Sequence, residues 1–109
     1  MILISPVDKD YYNGIIIEGH AETAPHGQDI VCAGVSGATF SIYFSMCYLI
    51  GDGSIDAEIK DGYFKLAPKN PTQATDCVID GLLEFLRMTQ EKYPNTISIK
   101  GDYNNEERL

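Results

Sequence analysis

The stretch Ile55-Asp56-Ala57-Glu58-Ile59-Lys60, then Asp61-Gly62, then Tyr63-Phe64-Lys65-Leu66 decides the fold. Ile55, Ala57 and Ile59 alternate with charged residues, which is the period of a strand with one buried side. Asp61-Gly62 is a two-residue turn of the kind whose backbone twist suits a hairpin. Residues 63–66 then return. A hairpin is antiparallel, so a chain that sets one between two helices does not read as a doubly wound parallel sheet.

Upstream of the hairpin, Gly51-Asp52-Gly53 ends a helix that reads from Asp29, as N-cap, to about Ile50. Val31, Val35, Ala38, Ile42 and Met46 recur at helical spacing. Phe40, Tyr43, Phe44 and Leu49 make its other sides apolar too, so this helix is expected to be central and well covered. Gly34 and Gly37 each weaken it by up to about 1 kcal/mol relative to Ala, and a close backbone approach is the expected reason for them. Residues 21–28 read as a loop. Ile15-Ile16-Ile17, after a turn at Asn13-Gly14, reads as a strand in an antiparallel hairpin or a neighbouring pairing, covered on both faces or by a partner chain. Residues 1–4 read as a strand stopped by Ser5-Pro6.

Downstream, Thr72 caps a second helix that runs to about Tyr93, with Val78, Ile79, Leu82, Leu86 and Thr89 inward. Glu84, Arg87, Glu91 and Lys92 form its wet side. Pro94-Asn95 stops it, residues 96–100 read as a last strand, and 101–109 as a frayed tail. The expected architecture is a single α+β domain over residues 1–109, a two-layer sandwich with a mixed sheet and the order β-β-α-β-β-α-β.

The chain has 109 residues, 44% of them hydrophobic, and a formal net charge of −8. Its eight basic residues are scattered, which argues against a nucleic-acid groove. An acidic surface suits a basic peptide partner or simple solubility. The longest apolar run is interrupted by Ser, Thr and Gly, so no membrane span is expected, and no basic region precedes Met1-Ile2-Leu3-Ile4 as a secretory signal would require. Three widely spaced cysteines suggest free thiols and a reducing, cytoplasmic setting. No cofactor is expected.

The chemistry gathers between His20 and Cys32. A thiol near a helix start, with an imidazole in reach, is the setting that makes cysteine a nucleophile. In this reading Cys32 attacks, and first-turn N–H groups hold the oxyanion. His20, at the end of the second strand, serves as general base and then as acid. Asp29 caps the helix or orients His20. Ser36, one turn beyond Cys32, donates to the thiolate or holds the loop, unless it only bonds back to a helix carbonyl. Cys47 and Cys77 read as inert core thiols. The rival reading is a zinc site from His20, His26 and Cys32 with Asp29, which no C-x-x-C or H-x-x-x-H pair supports.

Gly19-His20-Ala21, followed by Gly27-Gln28-Asp29-Ile30-Val31-Cys32-Ala33-Gly34-Val35-Ser36, resembles the signature of the ribosomal-processing cysteine protease family, Prp. There G-H-A precedes a variable loop ending in Gly and then D-I-V-C-A-A-V-S. The interval from His to Cys also agrees. The resemblance implies an endopeptidase that removes a short N-terminal extension from a bacterial large-subunit ribosomal protein, cutting after paired Phe residues and before a basic stretch. It implies a cytoplasmic homodimer. It maps the nucleophile to Cys32, the base to His20, and supporting roles to Gly19, Asp29 and Ser36. Ala21, His26 and Gly27 fall in the substrate loop. Gly34 and Gly37 stand where the family usually has Ala. Phage members of the family imply an alternative substrate, a capsid or scaffold protein. A non-catalytic binding module with the same fold is the other alternative.

Overall fold

The computed structural model describes residues 1–8, 11–19 and 26–101, and for Tyr11 and residues 26–29 the backbone alone. Its elements are β1 (Ile2–Asp8), β2 (Tyr11–Glu18), α1 (His26–Ile50), a short 3-10 turn (Asp52–Ser54), β3 (Ile55–Lys60), β4 (Tyr63–Pro68), α2 (Gln73–Lys92) and β5 (Ile97–Ile99). The sheet order is β3-β4-β2-β1-β5. All neighbours are antiparallel except β1 and β5, which run parallel. The fold is the expected α+β two-layer sandwich with a mixed sheet.

One row across the sheet explains the core. Ile59 lies opposite Phe64, Phe64 opposite Ile17, Ile17 opposite Ile4, and Ile4 opposite Ile99. Strand side chains alternate between faces, so this row and the next, through Leu66 and Ile15, point to one side. Both helices cover that side. Val31, Val35 and Met46 of α1 and Ile79, Leu82, Leu83 and Leu86 of α2 share one buried cluster with Ile2, Ile4, Ile15, Ile17, Phe64 and Leu66. Truncating any of the buried α2 leucines to Ala costs about 2–5 kcal/mol on general grounds.

The opposite face of the sheet carries exposed Leu3, Glu18, Glu58 and Lys60. The three isoleucines of β2 are therefore not sandwiched between two layers. Ile15 and Ile17 are buried, while Ile16 is half-buried beside its cross-strand partners Ser5 and Lys65.

Several boundaries differ from expectation. β1 continues through Ser5-Pro6. Ile2 N–H donates to Thr96 O (3.0 Å) and Ile4 O accepts from Lys100 N–H (2.9 Å), so alternate residues of β1 address β5. Pro6 has the same phase but lies beyond the end of β5, where a missing N–H costs nothing. Asn13-Gly14 lies inside β2 and is not the hairpin turn. Gly14 is needed there because a Cβ would sit 2.7 Å from Ala67 Cβ and 2.9 Å from Leu66 O.

The helices differ as well. α1 begins three residues before Asp29, just after Pro25 in the sequence, so Asp29 belongs to its first turn and is not its N-cap. Among the described residues no close approach explains the α1 glycines: a Cβ at Gly34 would meet only Phe85, at 3.7 Å, and one at Gly37 nothing within 4 Å. Ile30–Ile50 is long and apolar enough to cross a membrane by length and composition, contrary to the reading of its interruptions. In this fold its inner face packs on the sheet and α2, but its outer flank is bare. Phe40, Phe44 and Leu49 are about half exposed, and Tyr48 is 92% exposed, so the helix is covered on one side only.

α2 starts as expected. Thr75 N–H donates to Thr72 Oγ1 (3.2 Å) and Thr72 N–H donates to Thr75 Oγ1 (2.8 Å), a reciprocal cap. At its other end Asn95 takes a φ of +68°, a conformation Asn tolerates better than most residues. Gln90 Nε2 donates to Ile97 O (2.9 Å), tying the helix to β5.

Candidate active site

α1 runs antiparallel to β3, so its N-terminal half lies beside the tip of the β3–β4 hairpin. Between them is a cleft of about 280 Å³. The helix contributes Cys32, Ser36 and Phe40, with Val35 and Thr39 deeper. β2 contributes Ile17, and Gly19 follows at its end. The hairpin contributes Ile59, Lys60, Asp61, Gly62, Tyr63 and Phe64.

Cys32 is half-buried, with Ser36 exposed one turn along on the same side. The two lie four residues apart, which on a helix makes them neighbours. Thr39, buried to 4%, donates its hydroxyl to Ser36 O (2.9 Å) and keeps its own polarity satisfied under the cleft. With α1 starting at His26, Cys32 lies in the second turn. Its N–H falls within the i→i−4 ladder and is not a free first-turn donor, which corrects the oxyanion role expected of it. A carboxylate at Asp29, in the first turn, still suits the positive end of the helix dipole.

Gly19 is fixed by geometry. Its φ is +107°, and its N–H donates to Gly62 O (3.0 Å) at the hairpin turn. A Cβ there would collide with the Met1 carbonyl oxygen. The residue before His20 is thus anchored to the cleft's far wall. His20 and Ala21 lie outside the described residues. His26, Gly27 and Asp29 are in the first turn of α1, with their side chains outside the described set. The zinc alternative rests on three of those side chains and so falls outside it as well.

Lys60 sits at the cleft edge. Its Nζ pairs with Glu58 Oε2 (2.9 Å) and lies 5.1 Å from the centre of the Tyr63 ring. The hydrogen bond and charge of Glu58 raise its pKa above the ordinary lysine value. The neighbouring Lys65 is raised likewise, by Asp56 at 3.0 Å. The other two cysteines differ from each other. Cys47 is half-buried and hydrogen-bonded with Tyr43, a contact that raises the tyrosine's pKa. Cys77 is exposed, which corrects its reading as a core thiol.

The sequence reading missed Phe40, Ile59, Gly62 and Tyr63 as cleft residues. Phe40 was legible, since it lies eight residues after Cys32 on the same face of the helix. The hairpin residues were not, because their place beside Cys32 depends on the strand order.

The model of the family described as cysteine protease Prp matches residues 1–98. The ribosomal processing cysteine protease Prp of Bacillus subtilis (strain 168) is 31% identical over 103 residues, covering 85% of this chain and 91% of that one. The essential ribosomal processing protease Prp from S. aureus, solved with a substrate peptide, superposes with a TM-score of 0.75 at 24% identity. That match covers 91% of this chain and 95% of the other. A second structure of the S. aureus protease, with a covalently linked product peptide, gives 0.69 at 24% identity over 90% and 94%. Fold, cleft and relatives together define a cysteine protease. The chain belongs to the Prp family of ribosomal-processing cysteine proteases.

Proposed function

We propose that this enzyme removes a short N-terminal extension from a bacterial large-subunit ribosomal protein, with Cys32 as nucleophile and His20 as general base. The observation that carries this reading is the half-buried Cys32 thiol in a cleft that also holds Gly19, the residue preceding His20.

His20 takes the thiol proton as Sγ attacks the scissile carbonyl carbon. The tetrahedral intermediate collapses to a thioester, and the imidazolium gives its proton to the departing amine. Water, deprotonated by His20, then attacks the thioester and releases the new C-terminal carboxylate. Ser36 supplies a hydroxyl donor one turn from the sulfur. Asp29 supports the helix start, and Ala21, with His26 and Gly27 at the opening of α1, is assigned to contact with the substrate. The apolar lining of Phe40, Ile59 and Tyr63 suits an aromatic residue on the acyl side of the cut. The net charge of −8 favours encounter with a basic ribosomal peptide. The reading needs no cofactor. It includes a cytoplasmic location, in keeping with three free cysteines, and a homodimer, in keeping with the bare outer flank of α1.

The test is cleavage of an N-terminal extension peptide containing the Phe-Phe site, read by mass spectrometry, with wild type and Cys32→Ala side by side. A single cut after the Phe pair, absent in the variant, is the expected result. An intact peptide with wild type overturns the substrate. His20→Ala should lower kcat/KM by roughly a hundredfold to ten-thousandfold. Alkylation by iodoacetamide, run on a Cys77→Ser background because Cys77 is exposed, should modify Cys32 well ahead of Cys47. Equal rates would count against Cys32 as the nucleophile.

A further inference from the structure

Among the described residues the sheet edge lies open along β3, along β5 and along β1 beyond Ile4, and these stretches are not treated alike. β5 is three residues long, and a very short edge strand gives little template for pairing. β1 beyond Ile4 carries Pro6 and an irregularity between Pro6 and Asp8, two further devices that blunt an edge. β3 has neither. It pairs with β4 in unbroken register over six residues, contains no Pro, and directs Ile55, Ala57 and Ile59 to the helix side with no charge among them.

The phase of its hydrogen bonds follows from one contact. Lys69 N–H donates to Ser54 O (2.9 Å), so Ser54 faces β4. Alternation then turns Asp56, Glu58 and Lys60 inward, with Lys60 and Tyr63 closing the two-residue turn. The N–H and C=O groups of Ala57 and Ile59 point outward from the sheet, and among the described residues no strand pairs with them, whereas the Ile55 N–H donates back to Asp52 O. This outer edge ends in the cleft that holds Cys32, since Ile59 and Lys60 line it.

We infer that the outer edge of β3 is the rail on which the substrate polypeptide docks, as an added sixth strand held through the main-chain groups of Ala57 and Ile59. The inference rests on the proposed protease reading, which supplies an extended polypeptide as the occupant. A substrate residue opposite Ile59 extends the row Ile59, Phe64, Ile17, Ile4 and places its side chain on the helix side. There it meets Phe40, which is 44% exposed, and covers Ile59, which is 43% exposed. Main-chain bonding of this kind holds peptides largely regardless of sequence, and the pocket under alternate side chains selects among them.

Ala57→Pro tests the rail. It removes an outward N–H and leaves the β3–β4 ladder intact, because Ala57 donates nothing to β4. With the Phe-Phe extension peptide, Ala57→Pro should raise KM about tenfold or more over that of Ala57→Val, which keeps the N–H, at similar Tm. Independently, amide exchange by NMR on the Cys32→Ala variant should show Ala57 and Ile59 exchanging fast when free and protected when the peptide is bound. Cleavage that is unimpaired in Ala57→Pro, with no protection at either amide, overturns the rail and leaves the protease reading standing. Protection already present in the free protein assigns the edge to a second copy and overturns it too. A peptide neither cut by wild type nor bound by the variant removes the substrate reading, and the rail falls with it for want of an occupant.

Discussion

Gly19 carries two demands at once. Its positive φ and the nearby Met1 carbonyl both exclude a side chain, and its N–H bond to Gly62 O ties the end of β2 to the hairpin tip. Gly19→Ala should cost about 1–3 kcal/mol through the strained φ and the collision, and should slow cleavage because His20 follows directly. Thermal melts and kcat/KM on the same preparations check both effects; a variant with unchanged Tm would show that Met1 simply moves aside. At this scale the sequence was most legible where a short motif gathers residues at one place: Gly19, Cys32 and Ser36 all line one cleft. It was least legible where exposure depends on packing. Cys77 sits among apolar residues in the chain, but it falls on the outer side of α2, while Thr75, two residues earlier, is buried. Neighbours in sequence on a helix do not share a face.

Among the elements, the two helices show how far local signals reach. The start of α2 was readable because Thr72 satisfies first-turn donors through a bond that its own sequence neighbours complete. Thr72→Ala should destabilise by about 1 kcal/mol, read as a lower denaturation midpoint at unchanged m-value. Thr75→Val should cost more, because its hydroxyl accepts from Thr72 N–H inside a fully buried side chain. The start of α1 was not readable in the same way. Asp29 has the chemistry of a cap, but an acidic residue is equally at home one turn inside a helix. The β3–β4 hairpin followed from alternation and Asp61-Gly62, since a two-residue turn fixes its own register. The antiparallel pairing of β1 with β2 followed too, but the place of its turn did not. Asn13-Gly14 imitates a turn, whereas Gly14 is there for the close approach of Ala67 and Leu66 across the sheet, a tertiary reason with no local mark.

At the level of the whole molecule, the outer flank of α1 remains to be accounted for. The sequence suggested a helix covered all round, and the fold covers it on one side. Phe40, Phe44 and Tyr48 recur every four residues, so they form one stripe, with Phe44 at 55% and Tyr48 at 92% exposure. The edge-to-face contact of Tyr43 with Phe44 (5.4 Å between ring centres) holds part of that stripe in place without hiding it. Gly37 adds a second hint: a Cβ there meets nothing within 4 Å among the described residues, which leaves room for a close neighbour. A second copy laid against the part of this flank beyond Phe40 would bury Phe44 and Tyr48, as the homodimer in the proposed reading requires. Light scattering should then give about twice the 12.0 kDa chain mass at working concentration. The double variant Phe44→Lys, Tyr48→Lys should return the mass of one chain while keeping the circular dichroism of the fold, because both side chains are largely outside the core. Its effect on cleavage discriminates further. Tyr43, Phe44 and Tyr48 line a separate groove toward the other end of α1, away from Cys32. A monomeric variant that still cuts the peptide would therefore assign the dimer a structural role, and one that folds but does not cut would make the partner copy part of a working site. A wild-type protein of single-chain mass would refute the dimer and leave the flank to another partner.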